Sequence, residues 1–196
     1  MAQLQDQITE LNKGFSTAFI NQANHSSLGY RPEFIFNNYH QGKKVLVSIE
    51  EELARCDEFR ISVAFITKSG ITPLLQTLKE LERKEIPGKI LTTDYLMFSE
   101  PAALEKLASF RNIEVKMFKT DRESGGFHTK GYIFQRDGIF RTIIGSSNLT
   151  LNAMTKNREW NTKISKFRMV LSRLVSVLIQ DFFQELAARL QRSTLM

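Results

Sequence analysis

A single cysteine, Cys56, excludes a disulfide within the chain and any cysteine-rich zinc site. It lies in a helically spaced stretch and reads as a small core hydrophobe. Apolar runs are short: the most apolar, Leu174 to Ile179, is bracketed by Arg173 and Asp181 and cannot cross a bilayer. The polar stretch Met1 to Asn12 has no apolar segment of the kind a secretory leader carries. These absences place the protein in a reducing cytoplasm and away from membranes. No G-x-x-x-x-G-K-[ST] phosphate loop occurs, so these residues encode no nucleotide-driven motor. No carboxylate cluster suited to a metal appears, and neither a metal nor an organic cofactor is expected. Internal repeats and low-complexity tracts are absent as well.

What is present suits one domain spanning 1–196. A hydrophobic share of 42% fills a real core, and 24% charged residues is ordinary for a globular chain. Lys and Arg number 27 against 21 acids, a net charge of +6. That excess favours a polyanionic partner, nucleic acid before membrane.

Residues 2–20 read as a helix within an N-terminal arm, 1–25, and 21–43 read as loop with aromatic residues Phe34, Phe36 and Tyr39. Val45 to Ala54 has helical spacing, and Phe59 to Phe65 reads as a buried strand. Ile71 to Arg83 repeats apolar residues at helical intervals until Pro87-Gly88 breaks the chain. Lys89 to Thr93 is the next strand. Ser99-Glu100-Pro101 reads as an N-cap and early proline opening a helix to Phe110. Ile113 to Phe118 completes a β-α-β-α-β run, the pattern of a layered α/β domain. Thr129 to Gln135 and Phe140 to Ile144 follow, with Asp137-Gly138 between them as a hairpin signal. A brief helix or loop at Thr150 to Met154 leads to a short strand, Glu159 to Ile164. Phe167 to Leu190 reads as a long amphipathic C-terminal helix, 167–196 in extent, packing on the domain or on a partner.

The chemistry concentrates between Gly125 and Thr162. On a strand, residues i and i+2 share a face, so His128 and Lys130 point the same way. Burying a lysine beside an imidazole is costly unless an anion meets it, and phosphate suits that role. Lys130 would neutralise phosphoryl oxygens while His128 attacks phosphorus. Gly145-Ser146-Ser147-Asn148 stands where a strand ends, a place that offers N–H groups, hydroxyls and an amide to phosphate. Glu159 reads as the carboxylate that orients one imidazole nitrogen. Trp160, on the other face, reads as core. Lys43, Lys44 and Arg122 are further phosphate-contact candidates, and His25 and His40 read as ordinary loop histidines.

In order and spacing these residues resemble the HKD motif of the phospholipase D superfamily: His-x-Lys, then Gly-Ser-x-Asn. The resemblance implies a mixed β-sheet flanked by helices and a phosphodiesterase with catalytic residues His128, Lys130, Ser146, Asn148 and Glu159. The family's usual aspartate, five residues after the lysine, is Gln135 here, and Asp137 reads as a turn residue. In nuclease-like branches, which include metal-independent restriction endonucleases, an Asn and a later Glu complete the site, as Asn148 and Glu159 do here. The wording FHTKGYIF, IIGSSNLT and NREWN also resembles the N-terminal domain of some bacterial DEAD/DEAH-box helicases. That likeness implies a helicase domain C-terminal to this chain.

Only one His-x-Lys occurs, and single-motif members of the superfamily pair two chains. The chemistry gives the reason: one imidazole must be neutral to attack and another protonated to release the alkoxide. A homodimer with a shared site supplies both. The resemblance thus implies metal-independent cleavage of DNA through a phosphohistidine. The rival functions are an inactive DNA-binding module of a helicase and, from another class, a phospholipid hydrolase.

Overall fold

The computed structural model describes residues 32–38, 40–120 and 126–167. The expected N-terminal arm, residues 168–196 of the expected C-terminal helix, His25 and Arg122 lie outside the described residues; Phe167, expected to open that helix, ends a β-strand instead.

Among the described residues seven strands form one sheet in the order β1-β7-β6-β5-β2-β3-β4. They are β1 (Glu33–Ile35), β2 (Glu58–Val63), β3 (Gly88–Thr93), β4 (Ile113–Phe118), β5 (Lys130–Arg136), β6 (Ile139–Gly145) and β7 (Asn161–Phe167). β2, β3 and β4 run parallel, as the β-α-β-α-β reading requires. The remaining pairings, β2 with β5, β5 with β6, β6 with β7 and β7 with β1, are antiparallel. The α-helices among the described residues are α1 (Val45–Leu53), α2 (Lys68–Ile71), α3 (Leu75–Arg83), α4 (Pro101–Ala108) and α5 (Leu151–Thr155).

Each element has a local cause. α1 buries Val45, Ile49 and Leu53, spaced four apart so that they stack on one face. Each such side chain contributes about 2 kcal/mol by leaving water. β2 alternates, sending Phe59, Ile61 and Val63 into the core. Beside them on the paired strand lie Tyr132 and Phe134 of β5, opposite Ile61 and Phe59 and both fully buried. Cys56 joins this core, and burial pushes its thiol up to about 12. Asp137 and Gly138 both adopt positive φ, 52° and 73°, the conformation of a two-residue hairpin turn matched to strand twist.

Some expectations change. The helix expected over Ile71 to Arg83 is three pieces, because Pro73 starts a tight 3-10 turn at Thr72–Leu74 before α3 begins. The region expected as loop before Lys43 contains the edge strand β1, too short at three residues to register as a pattern. α4 begins at Pro101 with Glu100 as its N-cap residue, so Ser99 caps nothing. Its hydroxyl is instead buried among Ala64 O, Ile66 N and Thr92 Oγ1. The strand expected from Glu159 starts at Asn161.

Candidate active site

One end of the sheet gathers the chemistry. There β2 finishes at Val63 beside Lys130, the first residue of β5. β6 finishes at Gly145 beside Asn161, the first residue of β7. The strand pairings therefore bring together segments far apart in sequence: the turn after β2, the approach to β5, and the β6–β7 crossing. Ligands of open α/β sheets characteristically sit outside the carboxyl ends of parallel strands, and this is that end of β2.

His128 precedes β5 rather than lying on it, and it is exposed. Lys130 is buried, 8% accessible, on the face of β5 that also carries Tyr132 and Phe134. Its long stem runs through the core edge while its ammonium returns to the histidine. Nζ lies 2.6 Å from His128 Nδ1, 3.4 Å from Nε2 and 2.9 Å from the His128 carbonyl oxygen. An ammonium has only donors, so the nearer ring nitrogen accepts. A neutral ring whose Nδ1 accepts carries its proton on Nε2. Burial depresses the Lys130 ammonium below the usual lysine range, and the negative charge of Glu159 opposes that shift. Phe65 flanks the imidazole edge-on, ring centroids 6.0 Å apart and planes at 84°.

Ser146 and Glu159 form a second group. The Ser146 hydroxyl donates to the Glu159 carboxylate and accepts from the Trp160 amide at 3.1 Å. The Ser146 amide donates to Trp160 O at 3.1 Å. Among the described residues Glu159 is bonded to Ser146 and not to His128, so the orienting contact expected from the sequence is absent from this arrangement. The Glu159 charge nonetheless acts on Lys130. Asn148 is half-buried and accepts the Phe65 amide proton on Oδ1 at 3.1 Å. That bond fixes which end of the amide is oxygen, and it leaves the NH₂ end as the donor to any phosphate.

Other residues hold this frame and escaped notice in the sequence. Asn161 is 2% accessible; it accepts from the Ser147 amide and donates to Ser147 Oγ at 2.9 Å. Tyr132 donates its hydroxyl to Ser147 O at 3.0 Å, and burial raises its phenol above the ordinary range. Thr92 and Ser99 both donate to Ala64 O, while Leu149 donates its amide to Phe65 O. The turn carrying Phe65 is thus clamped from both sides.

Gly145 has a steric reason. A Cβ there would collide with Trp160 O and Asn161 Oδ1, so only glycine lets β6 and β7 approach this closely. Gln135 pairs with Glu58 and Phe140, five residues along β5 from Lys130 and roughly 16 Å away at ordinary strand rise. The position of the missing aspartate is therefore remote from the imidazole. Lys43 and Lys44 line a separate groove with Glu33, Phe34, Phe36 and Glu51, which shares no residue with the His128 group. Trp160 corrects the sequence reading: it is 78% accessible, not core, because it precedes the strand whose alternation was used to turn it inward. Among the described residues no three His, Cys, Asp or Glu side chains converge as metal ligands, and no helix is long and apolar enough to cross a membrane.

Residues 49–185 match a family model described as "Cardiolipin synthase, PLD-like domain", a stretch containing every residue of the site. The chain belongs to this phospholipase D-like family. Solved structures agree with it in fold. NucT from Helicobacter pylori superposes with a TM-score of 0.60 at 17% identity, over 80% of this chain and 95% of that one. Nuc from Salmonella typhimurium, a phospholipase D family member, gives 0.57 at 16% identity over the same shares. Phosphatidylserine synthase from Haemophilus influenzae Rd KW20 gives 0.54 at 12% identity, over 78% of this chain and 38% of its own. At such identities the likeness is one of fold. No curated protein matches the sequence. Within this phospholipase D-like fold, the mixed sheet delivers the His-x-Lys and Gly-Ser-x-Asn segments to one place.

Proposed function

We propose that the chain is a metal-independent phosphodiesterase of nucleic acid, DNA foremost, working through a phosphohistidine on His128. The observation that carries the reading is the contact between an exposed imidazole and a buried ammonium, 2.6 Å apart. A desolvated ammonium seeks an anion, and a phosphodiester supplies one. In the free protein Lys130 holds the imidazole lone pair. Phosphoryl oxygens compete for the ammonium and release the ring for attack.

The step then balances across two protomers. The His128 lone pair forms a nitrogen–phosphorus bond while the bond from phosphorus to the leaving oxygen breaks. A protonated His128 from a second protomer gives that oxygen its proton. The same second imidazole, now neutral, takes a proton from water, and the resulting hydroxide displaces the first imidazole. Ser146 and the Asn148 amide donate to the phosphoryl oxygens, and Glu159 orients the imidazole once substrate has drawn Ser146 away. The net charge of +6 supports a polyanionic substrate, and a larger DNA-processing enzyme with a helicase motor is the setting proposed.

Cleavage of a labelled duplex or single strand in EDTA tests this. Wild type cuts, His128→Ala does not, and an acid-labile phosphoryl adduct forms on the wild type alone. Equal cutting by His128→Ala overturns the mechanism, and turnover of phosphatidylcholine vesicles without any on DNA overturns the substrate. One observation favours a second reading, that the domain grips DNA without cutting it: Glu159 is engaged by Ser146 rather than by His128. Salt-dependent binding without cleavage would select it.

A further inference from the structure

We infer that Trp160 is a base-stacking platform beside the phosphate site, so that the substrate presents an unpaired base next to the scissile phosphodiester. The inference rests on the nucleic-acid reading above and extends it to substrate form. Trp160 is the largest side chain exposed near the site, with 78% of its surface in water. Leaving an indole there forfeits burial unless something covers it.

The backbone of Trp160 is held, not loose. Its amide donates to Ser146 Oγ, its carbonyl accepts from the Ser146 amide, and both distances are 3.1 Å. Gly145 permits that approach. The indole thus springs from a backbone anchored on the residue that would bond phosphate. β7 lies two strands from β5 in the sheet, so Trp160 stands roughly 10 Å across the sheet end from the His128 segment. That separation suits a base adjoining the phosphate held by Lys130. Lys156 and Arg158, both exposed, precede it in the same loop. Alternation of cations with an exposed aromatic is what single-stranded nucleic acid meets: the cations track the backbone and the ring takes a base. A base locked in a duplex cannot offer its face.

Trp160 is the chain's one tryptophan, so intrinsic fluorescence reports on this position alone. The full chain carrying His128→Ala, which keeps the strand intact, is titrated with a twelve-residue oligothymidylate and with an abasic spacer oligomer of equal charge. Anisotropy of an end label follows binding independently. Oligothymidylate is expected to quench the emission strongly and bind about tenfold tighter than the spacer, an advantage lost in Trp160→Ala and kept in Trp160→Phe. If both oligomers bind by anisotropy with equal affinity and neither quenches, stacking is refuted while the nucleic-acid reading stands. If neither binds, both fall. A blue-shifted emission that oligonucleotide leaves unchanged means that a second copy covers the indole, and that too overturns the inference.

Discussion

Lys130 Nζ lies 2.6 Å from Nδ1 of His128 and 2.9 Å from the carbonyl oxygen of the same residue. A buried cation thus finds only neutral acceptors in this contact, and the Glu159 carboxylate influences it through space. On the proposed mechanism Lys130 is a functional group kept at the expense of stability. Replacing it by Met, of similar volume, removes a desolvated charge without opening a cavity. Lys130→Met should lower cleavage about a hundredfold or more, since it deletes the main neutraliser of phosphoryl charge. Its unfolding midpoint in urea should stay level or rise by about 1 kcal/mol equivalent. A clear fall in that midpoint would show that the ammonium stabilises the fold.

The same shift gives a pH signature. The folded state depresses the Lys130 pKa below the unfolded value of 10.5. Between the depressed value and the unfolded one, the unfolded chain binds more protons than the folded chain. Stability from this group therefore rises with pH through that alkaline window. Activity should move the opposite way, because the proposed mechanism works through the protonated ammonium. Cleavage should decline at a pH below the ordinary lysine range while chemical stability to urea improves over the same interval. Lys130→Met should flatten the stability change. Parallel decline of activity and stability in wild type would instead indicate general alkaline unfolding.

Gly145 makes a packing prediction independent of chemistry. Gly145→Ala places a methyl against two oxygens, Trp160 O and Asn161 Oδ1, neither at the end of a flexible side chain free to swing away. Asn161 is itself fixed by Ser147. The two strand ends must part, breaking the bonds that hold Ser146 and Ser147. A loss of about 3 kcal/mol in equilibrium unfolding is expected, with cleavage falling as well because Ser146 moves. A variant as stable as wild type would mean that the β6–β7 crossing tolerates far more separation than its geometry indicates.

Much of this was legible in the chain because strands and helices here have strong local causes. β4 was read with its true bounds, and the β5–β6 hairpin followed from Asp137-Gly138, whose positive φ values need those residue types. His128, Lys130, Ser146 and Asn148 were legible as a set because they flank strand ends in motif order. The misreadings have equally local reasons. Trp160 was turned inward by a strand alternation that begins one residue later. Ser99 looked like a cap because Ser before Glu-Pro has that pattern, yet a buried carbonyl, Ala64 O, claims its hydroxyl. Asn161 and Tyr132 act through residues distant in sequence, so only the folded sheet reveals what they support.

The aspartate missing at Gln135 gives the most direct contrast with Glu159. Gln135 lies roughly 16 Å along β5 from Lys130 by strand rise, so an acid there reaches neither the imidazole nor the ammonium. Glu159 is half-buried, takes the Ser146 hydroxyl, and acts electrostatically on Lys130. Restoring the family acid with Gln135→Asp should therefore leave the cleavage rate within about twofold of wild type, because the position is remote from both groups. Glu159→Gln keeps the shape and an acceptor for Ser146 but removes the charge, and should slow cleavage about a hundredfold. It should also depress the Lys130 pKa further, shifting the alkaline limit of the residual activity to lower pH. The rates and pH profiles of the two variants decide the matter: a large gain in Gln135→Asp, or a silent Glu159→Gln, would return the acid role to the strand position and remove it from the loop.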